Sequence, residues 1–125
     1  MSQYHARGLK KKSGGLQRYG HKKHKGELGG TWSATKVGAT RRSVNRTVGA
    51  NAKAKLFESD FANVTDPKTG KTARAKITGV LEHPDNPHYT RRLIITKGCV
   101  IQTEIGKVRV TSRPDQTGTI SGILL

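Results

Sequence analysis

The 125-residue sequence predicts a mainly β protein: a small antiparallel β-barrel-like domain with a long, basic, irregular N-terminal arm. Three observations carry that prediction. Between residues 72 and 82 the chain alternates, with Ala73, Ala75, Ile77, Gly79 and Leu81 on one face and Arg74, Lys76, Thr78, Val80 and Glu82 on the other, the period of a half-buried strand. Between residues 99 and 110, two β-rich runs flank a tight Gly-containing loop, which reads as a hairpin. Charge and apolar content are also separated along the chain. Residues 1–53 hold 13 Lys/Arg and one acid, Glu27, whereas residues 54–125 hold 11 Lys/Arg and seven acids.

Composition narrows the class. Apolar residues make up 32% of the chain, below the usual globular share, so one core does not bury its whole length. The net charge of +16 and pI of about 10.6 make the chain self-repelling unless a polyanion neutralises it. No apolar run is long enough to span a membrane, and the basic start MSQYHARGLKKK lacks the apolar stretch of a secretory signal. Cys99 is the only cysteine. It allows neither an internal disulfide nor a paired-cysteine zinc site, and a reducing, cytoplasmic setting is expected.

The division expected is an arm over residues 1–30 and a β domain over 31–125, with basic strands in 31–55 and the main core in 56–125. Seven glycines interrupt residues 1–30, and the cations between them bury no apolar surface that would offset the entropy of ordering. The free arm is expected to be disordered. Further on, strands are expected over 31–37, 42–48 and 52–57, with a turn at Gly49-Ala50-Asn51. Residues 61–65 form a short strand, and Asp66-Pro67-Lys68-Thr69-Gly70 has turn chemistry. After His83-Pro84-Asp85, Asn86-Pro87 signals a helical turn: an N-cap residue type, then one suited to the first helical position. Leu93 to Ile95 read as an apolar strand that stops at Gly98. The hairpin follows, and a type I turn with Gly106 left-handed in a bulge is expected. Residues 113–118 read as loop and 119–125 as the last strand. Ile94, Ile95, Ile101, Val108 and Val110 are the expected core, with Cys99 a small core residue beside them.

Candidate binding residues are basic. In the arm they are Arg7, Lys10, Lys11, Lys12, Arg18, Lys22, Lys23 and Lys25, with Tyr19 (and Tyr4) suited to stacking on unpaired bases. Cations at short intervals, on a glycine-rich backbone that can follow a groove, suit phosphates better than a merely solubilising tail. Arg41, Arg42 and Arg46 lie in the expected basic strands. Arg91, Arg92 and Lys97 flank the most apolar stretch, and Arg113 precedes Pro114; on a rigid domain an Arg fork clamps phosphate, whereas the bland reading is an exposed charged face. Catalysis finds little support. Gly70-Lys71-Thr72 lacks the earlier glycine of a phosphate loop, since position 65 is Thr. His83, Asp85 and His88 cluster without a full ligand set, and no nucleophile has a recognisable base. No enzyme activity, metal or cofactor is expected.

Several stretches resemble one known family. NPHYTRRLIITKG, TEIGKVRVTSRP and ISGILL in the C-terminal part resemble the "eight-e" family of small-ribosomal-subunit proteins of archaea and eukaryotes. KKSGGLQRYGHKKHKGELG, ATKVGATRRSVNRTVGAN and ANVTDPKTGK are similar to it too, in the family's order across essentially the whole chain. The short length resembles the archaeal type. The resemblance implies a small β-barrel-like domain and a long basic arm, both embedded in ribosomal RNA on the body of the small subunit beside other ribosomal proteins. Where that family usually has a second glycine before Asn51, this chain has Ala50; where it usually has Asn, this chain has Leu93. After the SRP it usually has Gly, Gln, Asp, Gly; this chain has Asp115, Gln116, Thr117, Gly118.

The leading expectation is therefore a structural, non-enzymatic constituent of the small ribosomal subunit that neutralises small-subunit rRNA. The alternatives weighed are a DNA-binding architectural protein and an RNA-acting enzyme built on His83, Asp85 and His88.

Overall fold

The structure is a computed structural model and describes residues 2–5, 7–18 and 20–125. The chain divides into two compact units, Met1–Trp32 and Ser33–Leu125.

In the first unit, strand β1 (Ser2–Tyr4) pairs antiparallel with β2 (Leu28–Gly30), Tyr4 opposite Leu28. A single 3-10 turn, Lys25–Glu27, precedes β2. A smaller loop closes between Leu9 and Gln17: Lys10 bridges Leu16, and the Gln17 amide donates to the Leu9 carbonyl at 2.8 Å. These elements occupy a stretch where the sequence reading assigns none. Backbone hydrogen bonds make them, not packing: among the described residues 3–32, none is buried.

The second unit contains the core. Two-residue β3 (Lys36–Val37), β4 (Arg41–Arg46) and β5 (Ala52–Ser59) form a sheet in the order β3-β5-β4. The β4–β5 turn has two consecutive left-handed residues, Gly49 (φ 73°) and Ala50 (φ 60°). After β5 the chain switches sheets at Asp60 into β6 (Phe61–Thr65), then turns into β7 (Thr72–Glu82). Helix α1 (Pro87–Arg91) follows, then β8 (Val100–Thr103), β9 (Lys107–Val110), the short helix α2 (Pro114–Thr117) and β10 (Ser121–Leu124). Strands β10-β6-β7-β8-β9 close into a barrel.

The barrel is not wholly antiparallel, as had been expected: β10 runs parallel to β6. A ring with an odd number of strands cannot alternate direction all the way round, so a five-stranded closure needs one parallel pair. Strands β6 and β7 take the expected bounds. The facing expected for β7 holds only to Ile77. Register shifts at Ile77/Gly79 and Val80/Glu82 turn the strand, so Val80 is buried and Leu81 is 45% exposed, because a bulge re-aims each side chain beyond it.

The apolar stretch before the hairpin is not a strand. Leu93 takes φ 53° and ends α1: its amide donates to the Thr90 carbonyl (3.1 Å), and the next amide, of Ile94, donates to the Tyr89 carbonyl (3.0 Å). That is the crossed bond pair of a left-handed helix C-terminus, where Gly or Asn is favoured. The hairpin loop is Glu104-Ile105, closed by two bonds between Thr103 and Gly106 (3.0 and 3.2 Å). Gly106 has φ 154° rather than the left-handed value expected. Residues 31–35 form no strand, since Thr35 Oγ1 donates to the Leu56 carbonyl (2.7 Å) and Ser33 bonds Asp115.

All five expected core residues are buried, and Cys99 is fully buried. Ile95, Cys99, Ile101, Val108 and Val110 form one cluster with Leu56, Ala62, Val64, Ala75, Ile77, Val80 and Ile120, while Ile94 is buried outside it; Leu56 reaches into the cluster from the outer sheet. Two close approaches fix glycine. A Cβ on Gly118 (φ 71°) would lie 2.5 Å from the Ala54 Cβ, and one on Gly122 would lie 2.6 Å from the Arg109 carbonyl oxygen.

Candidate nucleic-acid interface

With 24 Lys/Arg and eight Asp/Glu, at least sixteen cations have no side-chain carboxylate of their own. The fold decides where they point. In the first unit Arg7, Lys10, Lys11, Lys12, Arg18, Lys22, Lys23 and Lys25 are all exposed, and the Lys23 ammonium lies 5.4 Å from the Tyr4 ring centre. Tyr19 lies outside the described residues. Glu27, the one acid here, organises the backbone. It accepts from the His24 amide (3.2 Å) and lies 3.0 Å from His21 Nε2, and these two bonds, the backbone one first, hold its carboxyl below the usual range.

In the second unit, all six residues of β4 are exposed. Its edge is unpaired in this sheet, and Arg42, Val44 and Arg46 alternate along one face because successive strand residues point oppositely. Arg41 is engaged, 3.2 Å from the Glu58 carboxylate and 5.2 Å from the Phe57 ring centre. Arg91 and Arg92 are exposed on α1 and its C-cap. This turn is firmly held. The Asn86 carboxamide oxygen accepts from the His88 amide (3.0 Å), and Tyr89 packs edge-on against the buried His83 ring at 5.0 Å. His83 Nε2 in turn lies 2.7 Å from Thr96 Oγ1. The Ile95 amide donates to the Thr35 carbonyl (2.8 Å). Lys97 and Arg113 are exposed, Arg113 as the N-cap of α2.

Arg74, Lys76, Lys107 and Arg109 are further exposed cations, absent from the sequence-predicted set. They stand on the outer face of the barrel, each next to at least one inward residue among Ala75, Ile77, Val108 and Val110. The signal was the alternation itself, since the face opposite a core face is solvent.

His83, Asp85 and His88 do not form a metal-holding group. Among the described residues, no group of three or more His, Cys, Asp or Glu could hold a metal ion. Burial pushes the Cys99 thiol above its ordinary value, which opposes a reactive thiolate. Among the described residues, no helix is long and apolar enough to cross a membrane.

These features define a class: small basic barrel proteins that turn cations outward from a compact core. The comparisons give the family. The profile of Ribosomal protein S8e matches residues 4–125, and the chain belongs to that family. It is similar to the small ribosomal subunit protein eS8 of Methanocella arvoryzae, 42% identical over 122 residues. The proteins of the same name from Methanospirillum hungatei and Methanocorpusculum labreanum are 37% and 38% identical. Each of these matches covers 98% of both chains.

Proposed function

We propose that the protein is a structural, non-enzymatic constituent of the small ribosomal subunit in the cytoplasm, binding and neutralising small-subunit rRNA beside neighbouring ribosomal proteins. The observation that carries this reading is the outward, largely unpaired charge on both units, within a family whose relatives are named as small-subunit proteins. Phosphates are the counter-charge such a surface needs. Contacts go chiefly to phosphate and 2′-OH, which position the protein by RNA shape. The first unit folds around RNA phosphates; the second supplies fixed cations on β4, α1 and the barrel.

Two measurements test this. Titration with small-subunit rRNA should show affinity falling roughly a thousandfold or more between about 50 and 200 mM salt, if on the order of six to ten phosphates are engaged. A flat salt response, or tighter binding to duplex DNA of equal length, would overturn the reading in favour of another partner. In amide exchange without RNA, residues 2–32 should exchange fast and become protected on adding it. Slow exchange in the free protein would remove the proposed coupling of order to binding.

A further inference from the structure

We infer that a cleft between the outer sheet and the barrel is a pocket for a single unpaired nucleotide, a deepening that rests on the RNA-binding reading above. The cleft is lined by Thr40 and Arg42 on one side and by Phe61, Asn63, Arg74 and Thr119 on the other, over a floor of Leu56 and Ile120. Its volume is about 220 Å³, room for about seven waters and far more than a simple ion fills. The floor is apolar and the rim carries two cations. That combination fits a ligand that is both planar and anionic.

The register builds the recognition elements. Asn63 on β6 stands directly opposite Arg74 on β7, so the two share the outer face, and Phe61 lies two residues from Asn63 on that face. The Arg74 guanidinium carbon sits 4.0 Å from the Phe61 ring centre, a cation–π contact that positions the cation at the cleft. Arg42 comes from β4, opposite the buried Leu56. The nearby carboxylates are already engaged: Thr40 Oγ1 donates to Asp60 (2.9 Å) and Arg41 pairs with Glu58 (3.2 Å). Neither Arg42 nor Arg74 is among the ion pairs of the described residues, which leaves both guanidiniums available to an anionic ligand.

Unpaired bases of RNA stack on aromatic rings and Arg planes and are read along their hydrogen-bonding edges. Here the base lies against the Arg74–Phe61 stack, the Asn63 amide meets its edge, and Arg42 takes the phosphate. A fully paired duplex cannot enter, because its bases are stacked within the helix.

The test uses the full chain and two RNA hairpins, identical except that one carries a single bulged adenosine in its stem. The wild-type protein should bind the bulged hairpin roughly 5- to 100-fold more tightly, the range of one stacked base. Arg74→Lys keeps the charge but loses the planar stack, and Asn63→Ala removes the edge contact. Each should cut the preference severalfold, because the bulged hairpin loses more affinity than the paired one. Both positions are exposed, so unchanged thermal melts should verify that these variants fold. Equal affinity for the two hairpins, or a preference that survives both substitutions, would overturn the pocket while the general RNA reading stood. Absence of salt-sensitive binding to either hairpin would sink both.

Discussion

The two units carry similar charge and fold by different means. Residues 1–32 hold eight Lys/Arg and one acid; residues 33–125 hold sixteen and seven. Net charge is thus +7 and +9, the first on about a quarter of the chain. Yet in the first unit no described residue from 3 to 32 is buried, while the second encloses a cluster from Leu56 to Ile120. Net charge alone does not tell a unit with a core from one without; the spacing of Ile, Val, Leu and Ala does. A three-residue ladder such as β1–β2 is marginal by itself, since an isolated two-stranded pair lacks a face to bury. Local stability should therefore differ sharply between the units.

The largest expected effect strikes the second unit. Ile95 is 1% exposed within the cluster, and Ile95→Ala should cost ~2–5 kcal/mol. Against a small domain's margin that should largely unfold the barrel in a thermal melt. A melt shifted by only a degree or two would mean the cluster is not what holds this unit.

The converse experiment replaces Lys10, Lys11 and Lys12 together with Ala. All three are exposed, so the melting of the barrel should not move. RNA affinity should fall across many sequences, and the salt slope should flatten by about 2 in log–log terms, at roughly 0.7 per lost single-strand phosphate contact. An early melt with unchanged RNA binding would reverse the roles assigned to the units.

Smaller effects sharpen the picture of the barrel unit. Ala50 and Leu93 are the two described non-glycine residues with positive φ. They are also two of the positions at which the chain departs from the pattern usual in the family it resembles. Left-handed backbone costs an L-residue with a Cβ roughly 1–2 kcal/mol, and Gly or Asn relieves part of that. Ala50→Gly and Leu93→Asn should each stabilise by ~0.5–1 kcal/mol, raising the melting temperature by several degrees. Destabilisation by either would show that its side-chain contacts outweigh backbone strain.

The smallest effect concerns pH. Asp66 accepts from the Lys68 amide and the Thr69 hydroxyl, both at 2.9 Å, and chiefly the backbone bond holds its carboxyl below the ordinary value. A depressed carboxylate contributes stability above its unfolded pKa, about 3.9, and loses it as pH falls through the lower folded value. Asp66→Asn should thus lower stability slightly at neutral pH, with the gap to wild type closing in acid. A gap of constant size from neutral pH down to about pH 2 would point to shape rather than charge in this turn.

Much of the fold was legible because its period is local. The short β-prone run of β6, the alternation of β7 up to Ile77, the Asn86-Pro87 helix start and the buried Ile101, Val108 and Val110 can each be read within a dozen residues. What was not legible depends on distant partners. Leu93 to Ile95 have strand composition, but the helix-ending bonds to Tyr89 and Thr90 claim that backbone. Residues 31–35 look β-prone, yet Thr35 hydrogen-bonds Leu56, 21 residues away. The flip within β7 needs the register of β8. Helix α2 is a four-residue turn with Pro114 at its start, too short to leave a periodic signal. The proposed binding residues divide similarly. Clustered cations stand out in a sequence, whereas the pocket joins Arg42, Asn63 and Arg74, which only the folded sheets bring together.

The parallel β6–β10 pair has a consequence for the timing of folding. The seam joins Asn63 to Ser121, so the barrel stays an open sheet with two raw edges until residues 121–124 have been made. Every lysine and arginine precedes that point, Arg113 being the last. A growing chain thus exposes its full cationic content before its container can shut. Open edges are sites of mispairing, and widely separated contacts form slowly. A polyanion that captures the early cations keeps such half-made sheets apart from one another, so the same charge that suits the finished assembly can also chaperone the path to it.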